Sequence, residues 1–259
     1  MSYVILSRIT NIKQLHLKEF DPKKIYCSKV AKREAERLYR QAINKQETIW
    51  NTNNSNIVKI SSLNARSLQQ HYRDLQKDEF VMKSDIIVIQ ETWLEENPKE
   101  PITEFEEYYV NRGSKGISLF TRIKPNAVEF SQSATHSSIK VTYDDFDVIN
   151  IYRFSDGYNL SEFTSEILSL FDSSRRQIVL GDMNIDLLKN PNNLFSQSLQ
   201  QRGFNQIVNR PTHVKGGLID HIYYYSPNNA ASCSLYKYHT VFWSDHTCLL
   251  AILEKNSDC

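Results

Sequence analysis

The run Ile178-Val179-Leu180-Gly181-Asp182-Met183-Asn184 ends an apolar stretch at a glycine, then sets a carboxylate and a carboxamide two residues apart. A carboxylate can take a proton from water, and a carboxamide can donate to an oxyanion. Together they suit hydrolysis of an anionic ester. The apolar part reads as a buried strand. Residues two apart on an extended chain point the same way, so Asp182 and Asn184 are expected to aim at one spot past the strand's end. Taken alone, the run is better explained as an Asp-x-Asn turn that satisfies only local backbone groups. Its company changes that balance.

Six further segments end an apolar run in polar residues of chemical value. They are Leu63-Asn64-Ala65-Arg66-Ser67, Gln90-Glu91-Thr92-Trp93, Asn150-Ile151-Tyr152-Arg153, Arg210-Pro211-Thr212-His213, Ile219-Asp220-His221 and Ser244-Asp245-His246. Strand ends and the loops beside them are where binding and catalytic groups concentrate. Each has an ordinary reading of its own. Asn64 can cap a helix, Glu91 can be a solvated strand end, and Tyr152 can be a core aromatic with a satisfied hydroxyl. Ser244-Asp245-His246 can be a turn. Seven such ends in one domain exceed coincidence. Arg66 is a candidate phosphate contact, whereas Arg153, His213, Lys215 and His221 read as structural. His221 follows Asp220 on a strand and should face the other way. Gly216-Gly217 reads as a turn.

The elements that must position these groups alternate between strands and helices from Ile57 onward. Strands are expected at 57–63, 85–90, 116–122, 138–143, 146–153, 177–182, 218–225 and 247–253. Helices are expected at 68–80, at 160–171 with Ser161 as N-cap, and at 194–201. That mixture argues for a layered α/β sandwich spanning 57–255. Upstream, 28–45 reads as an amphipathic helix, and the polar stretch 51–56 as a linker. No apolar run approaches the ~20 residues of a membrane span. The start lacks a basic leader and cleavage site, so no signal peptide is expected. Four scattered cysteines fit reduced thiols inside a cell. Residues 1–50 hold 11 basic and 5 acidic side chains, which leaves 20 and 25 of the chain's 31 and 30 for the rest. The basic segment can touch nucleic acid, and the acidic remainder suits a site that holds a cation.

Asn-x-x-Ser, Gln-Glu-Thr, Gly-Asp-x-Asn, Asp-His and Ser-Asp-His, in this order over about residues 57–255, resemble the endonuclease/exonuclease/phosphatase superfamily, the deoxyribonuclease-I-like fold. Asn64-Ala65-Arg66-Ser67-Leu68 and Arg210-Pro211-Thr212 look most like the endonucleases of LINE-type retrotransposons. The resemblance implies a four-layered sandwich, two packed mixed β-sheets flanked by helices, here with a short N-terminal helical appendage. It implies a divalent cation, Mg²⁺ or Mn²⁺, with Glu91 as main ligand and Asn64 and Asp245 nearby. Asp182 would orient and deprotonate the attacking water. Asn184 and Tyr152 would bind phosphoryl oxygens, and His246, oriented by Asp220, would face the phosphate. Thr212 and Ser244 would be phosphate-contacting and supporting hydroxyls. The implied partner is DNA, cut by a monomeric, intracellular, nuclear protein. Other members work on inositol phosphates or RNA, and a silent nucleic-acid-binding remnant is the third reading.

Tyr3-Val4-Ile5-Leu6-Ser7-Arg8 and the residues after it, to Ile25, resemble the C-terminal end of a Pif-type helicase, with Arg8 on an ATP phosphate. The chain has no Gly-x-x-x-x-Gly-Lys-Ser/Thr loop, so no ATP use is expected of it. The pairing suggests a fragment of a Helitron-like fusion.

Overall fold

A computed structural model describes residues 50, 54–98, 101–155, 159–227 and 232–255. The strand and helix expected within residues 1–49, and the helicase resemblance they carry, lie outside the described residues. The fold below is that of the compact unit Asn54–Cys259.

Its elements run β1 (Ile57–Asn64), α1 (Leu68–Lys77), α2 (Glu79–Met82), β2 (Ile86–Gln90), β3 (Glu106–Val110), β4 (Ile117–Thr121), β5 (Ala127–Gln132), β6 (His136–Thr142), β7 (Phe146–Arg153), α3 (Leu160–Leu168), β8 (Arg176–Asp182), α4 (Leu194–Gln201), β9 (Asn205–Gln206), β10 (Asp220–Tyr225), β11 (Cys233–Thr240) and β12 (Thr247–Glu254). They form two six-stranded mixed sheets, in the orders β11-β12-β1-β2-β4-β3 and β5-β6-β7-β8-β10-β9. Each sheet has one parallel pair near its middle, β1 with β2 and β7 with β8. The remaining pairs are antiparallel.

Alternation along the strands builds the core between the sheets. Val58 and Ile60, Ile86 and Val88, Ile178 and Leu180, and Leu249, Ala251 and Leu253 all enter one apolar cluster. Each buried valine, leucine or isoleucine among them contributes roughly 1.5–3 kcal/mol by leaving water. A second cluster lies on the outer face of the second sheet, where Ile149, Ile151 and Val179 meet Phe163 and Ile167 of α3 and Phe195 and Leu199 of α4. A polar link crosses the inner core. Gln90 donates through Nε2 to Asn150 Oδ1 at 2.7 Å, and Asn150 Nδ2 donates to Ser118 O at 2.9 Å.

Two helices differ from expectation. The helix expected over 68–80 breaks at Asp78, which takes an extended backbone and caps α2 by accepting from Phe80 N and Val81 N at 3.1 Å each. An aspartate offers helix-starting amides a better partner than a helix interior offers it. The helix expected at 160–171 stops at Leu168, and its N-cap is Asn159 rather than Ser161. Asn159 Oδ1 accepts from Glu162 N at 3.0 Å.

One residue before Asp182, the chain tolerates no side chain. Gly181 has φ +134°, and a Cβ there would stand 1.9 Å from Ile151 O of the neighbouring strand. Gly181→Ala is therefore expected to cost roughly 2–3 kcal/mol or more of folding stability, because backbone must move in two central strands. Urea denaturation of the variant measures this, and a loss below about 1 kcal/mol would contradict the close approach.

Candidate active site

The inward face of the central strands turns polar at one end of the sandwich. Past Val58 and Ile60, β1 ends in Asn64; past Ile178 and Leu180, β8 ends in Asp182; β7 ends its inward face in Tyr152. Asp220 opens β10 and pairs directly with Asp182 in the ladder. The site is thus the polar end of the inter-sheet core, and its members are buried because the core is. Asn64, Asp182 and Asp220 are 0%, 1% and 3% exposed.

Asn64 sits between the sheets. Its Nδ2 donates to Glu91 Oε1 and to Asp182 Oδ2, each at 2.9 Å, while its Oδ1 accepts from Arg66 N. Asn64 therefore turns its nitrogen, not the oxygen that a cation would need, toward the two carboxylates. Glu91 also accepts from Tyr152 Oη at 3.0 Å and from Trp93 Nε1 at 3.4 Å. Its backbone is held at φ +53° by the loop after β1: Ala65 N donates to Gln90 O and Ser67 N to Glu91 O, both at 2.9 Å. Of the six described non-glycine residues with positive φ, five (Arg66, Ser67, Glu91, Trp93 and Asn184) surround this centre. Left-handed backbone at such residues costs on the order of 1–3 kcal/mol each and clusters at functional sites.

Asp182 accepts at Oδ1 from Asn184 N at 2.8 Å. Burial and the Asp220 carboxylate push its carboxyl up to about 7, against the pull of His246 and its hydrogen bonds. His246 is tethered through Nδ1 to both oxygens of Asp220, at 2.9 and 3.0 Å. Burial alone would lower its basicity, but Asp220, with help from Asp182 and Asp245, raises it to about 9. The imidazolium is then the ground form at neutral pH. Burial, Glu91 and Asp182 also push the Tyr152 hydroxyl up, so it stays a neutral donor.

Asn184 is brought to the site, but not by strand alternation. The strand ends at Asp182, Asn184 turns to φ +48°, and its Nδ2 donates to Arg153 O at 2.7 Å. The Asp-x-Asn turn is present, and it sets Asn184 beside Asp182. Thr212 Oγ1 accepts from Ile219 N and Asp220 N, at 3.2 and 3.1 Å, which fixes the start of β10. Ser244 Oγ donates to Asn64 O at 2.7 Å and accepts from His246 N. Arg66, half-exposed, has its guanidinium on Asp245, Nη1 to Oδ2 at 2.6 Å. His221 is fully buried and directs Nε2 at Ile185 O, as expected of a structural residue.

His213 is the residue that sequence reasoning set aside. It forms a β-bridge with His246, their rings meet edge to face at 4.7 Å, and its Nε2 lies 3.2 Å from Asp245 Oδ2. Only the pairing of two distant loops brings it there. Among the described residues, two triads hold donor atoms within 4.8 Å of one another: Asp182, Asp220 and His246, and His213, Asp245 and His246. Such groups can hold a cation; Glu91 belongs to neither triad. Asp245 Oδ1 is buried with no hydrogen-bond partner.

The pH response follows from the signs. His246 gains basicity on folding, so its stabilisation is complete below about pH 6.5 and is lost as pH rises through about 9. Asp182, with its carboxyl raised, loses stability in a lower window, between about pH 4 and 7. In chelator, the melting temperature should fall between pH 7 and 9.5, and His246→Gln should flatten that fall. An equally steep fall in the variant would remove His246 as its source.

Residues 49–246 match the Endonuclease/Exonuclease/phosphatase family. No curated protein matches the chain in sequence. Among solved structures, the 3′–5′ exonuclease NExo from Neisseria meningitidis is 20% identical, with 76% of this chain and 99% of that one covered at a TM-score of 0.59. An AP endonuclease from Archaeoglobus fulgidus is 20% identical over 76% and 99%, at 0.56. The endonuclease domain of TRAS1, a telomere-specific non-LTR retrotransposon, is 11% identical over 78% and 100%, at 0.53. These likenesses establish the shared fold. With that fold, the ordered polar strand ends and the match over most of its length, the chain belongs to the Endonuclease/Exonuclease/phosphatase family.

Proposed function

We propose that this protein is a divalent-metal-dependent phosphodiester hydrolase that nicks DNA, of the kind that mobile elements use to open an insertion site. The observation that carries the proposal is the buried trio Asp182, Asp220 and His246. It holds one carboxyl poised near neutrality beside one imidazolium locked by its own aspartate. A general base works best with a proton affinity near the working pH. Asp182 takes the proton of the attacking water. His246, kept charged by Asp220, meets the negative charge that builds on the phosphoryl oxygens. Asn184 donates to those oxygens, Tyr152 does so by turning its one hydroxyl proton away from Glu91, and Thr212, whose hydroxyl already accepts two backbone amides, has its own proton left to donate.

Glu91 and Asp245 fit a hard cation. Both are carboxylates at the site's edge, and Asp245 carries an oxygen that no protein donor satisfies. Few protein oxygens suffice for Mg²⁺, which keeps several waters. When bound, it supplies Lewis-acid charge neutralisation to the phosphodiester. Arg66 holds Asp245 through its other oxygen. The Asn64-Ala65-Arg66-Ser67-Leu68 and Arg210-Pro211-Thr212 runs favour DNA over an inositol phosphate, and a nuclear location accompanies that substrate.

Nicking of supercoiled plasmid in Mg²⁺ is the direct test. Asp182→Asn and His246→Ala are each expected to lower the rate ~10²–10⁴-fold while leaving the melting profile cooperative. Undiminished cutting by either variant would remove it from the proposed chemistry. Glu91→Gln should raise the Mg²⁺ concentration needed for half-maximal cutting by roughly tenfold or more. An unchanged requirement would place the cation elsewhere. Hydrolysis of phosphoinositides with plasmid left intact would overturn the DNA reading, and inactivity on both in Mg²⁺ and Mn²⁺ would favour a silent binding remnant.

A further inference from the structure

Two large aromatic side chains stand unburied on the loops that carry the acidic centre. Trp93, two residues past Glu91, is 43% exposed, and Phe242, three residues before Asp245, is 92% exposed. Both are presented rather than loose. Trp93 has φ +56°, an uncommon backbone for so bulky a residue, and is held by its amide on Gly113 O and its indole N–H on Glu91 Oε2. Phe242 lies between two buried neighbours, Val241 and Trp243, the latter stacked on the His71 ring at 5.3 Å. Anchoring both neighbours inward leaves Phe242 facing solvent.

The sheet order puts these loops on opposite sides of one strand. β1 lies between β12 and β2, so the loop after β2, with Trp93, and the loop before β12, with Phe242, flank the end of β1 at Asn64. Among the described residues neither ring has an aromatic or cationic neighbour within stacking distance. Exposed aromatic faces beside a phosphodiester-cleaving centre match one chemistry: the π-face of an unstacked nucleobase. Stacking of that kind is tolerant of base identity.

We infer that Trp93 and Phe242 are stacking platforms for nucleobases on either side of the phosphate that His246 and Asn184 meet, so that the substrate is a strand with bases unstacked there. This rests on the nuclease reading and adds the element that selects the strand's conformation. An intact, fully stacked duplex then has to be opened locally before it is cut, which favours flexible pyrimidine–purine steps.

The experiment uses the full chain carrying Asp182→Asn, with fluorescence anisotropy at fixed salt. The probes are single-stranded oligothymidylate and an oligomer of the same length built from abasic tetrahydrofuran phosphates. Adding Trp93→Leu or Phe242→Ala should weaken oligothymidylate binding roughly 5- to 100-fold. Binding of the abasic oligomer should weaken far less, and Trp93→Phe should restore most of the loss. Equal weakening of both probes would mean that Trp93 only steadies Glu91, and unchanged oligothymidylate binding would mean that no base is stacked; either overturns the inference. Plasmid nicking by the chain with native Asp182 tests the nuclease reading separately. Nicking with no aromatic dependence of base binding defeats the platforms alone, whereas no nicking and no binding of either probe defeats both.

Discussion

One carboxamide clasps the two sheets at the end where chemistry is possible. Asn64 has two N–H groups, and each meets a carboxylate, Glu91 from its own sheet and Asp182 from the facing one. A buried carboxylate without a donor is costly, so the donor's position dictates where both acids sit. The oxygen of the same carboxamide is spent on Arg66 N, which bends the loop that carries the Asp245 partner. Ser244 ties the same residue from the other side by donating to Asn64 O. Four residues, Glu91, Asp182, Arg66 and Ser244, thus take their places from one asparagine.

Charge is arranged as closely as geometry. Asp182 and Asp220 face each other across the β8–β10 ladder, and two buried carboxylates so placed cannot both ionise freely. The His246 ring resolves the conflict unequally. It binds both oxygens of Asp220, leaving Asp182 with less compensation and its carboxyl raised by burial and by the Asp220 charge. One imidazolium between two acids separates their roles without any difference in residue type. The second acid, being fixed, can orient; the first, being poised, can accept a proton.

The legible part of the fold was its interior. β1, β2, β4, β6, β7, β8, β10 and β12 were expected within a residue or two, and they are the strands with buried apolar runs. The four strands not expected, β3, β5, β9 and β11, are the four sheet edges. Edges carry charged and polar side chains on exposed positions, as Glu106 does on β3 and Glu129 on β5, and so lose the apolar signature. The site followed the same logic. Asn64, Tyr152, Asp182 and Asp220 end or begin interior strands, and their order along the chain could be read. Asn184 reached the site by a left-handed turn that alternation does not describe. His213 reached it through a bridge to His246, a pairing with no local trace in either loop.

The pairing of β1 with β12 also bears on when the acidic centre is completed. Ile57 pairs with Glu254, so strands from the two ends of the described unit lie side by side. Joining strands so far apart along the chain incurs a large closure entropy and is intrinsically slow. Asp245 and His246 are positioned by the entry into β12, and Ser244 completes the hold on Asn64 only then. A nascent chain on the ribosome can build most of the second sheet while the acidic centre is still open and unpaired. The cluster is therefore complete only when β12 has paired, and until then Asp182 and Asp220 lack the His246 imidazolium that balances them.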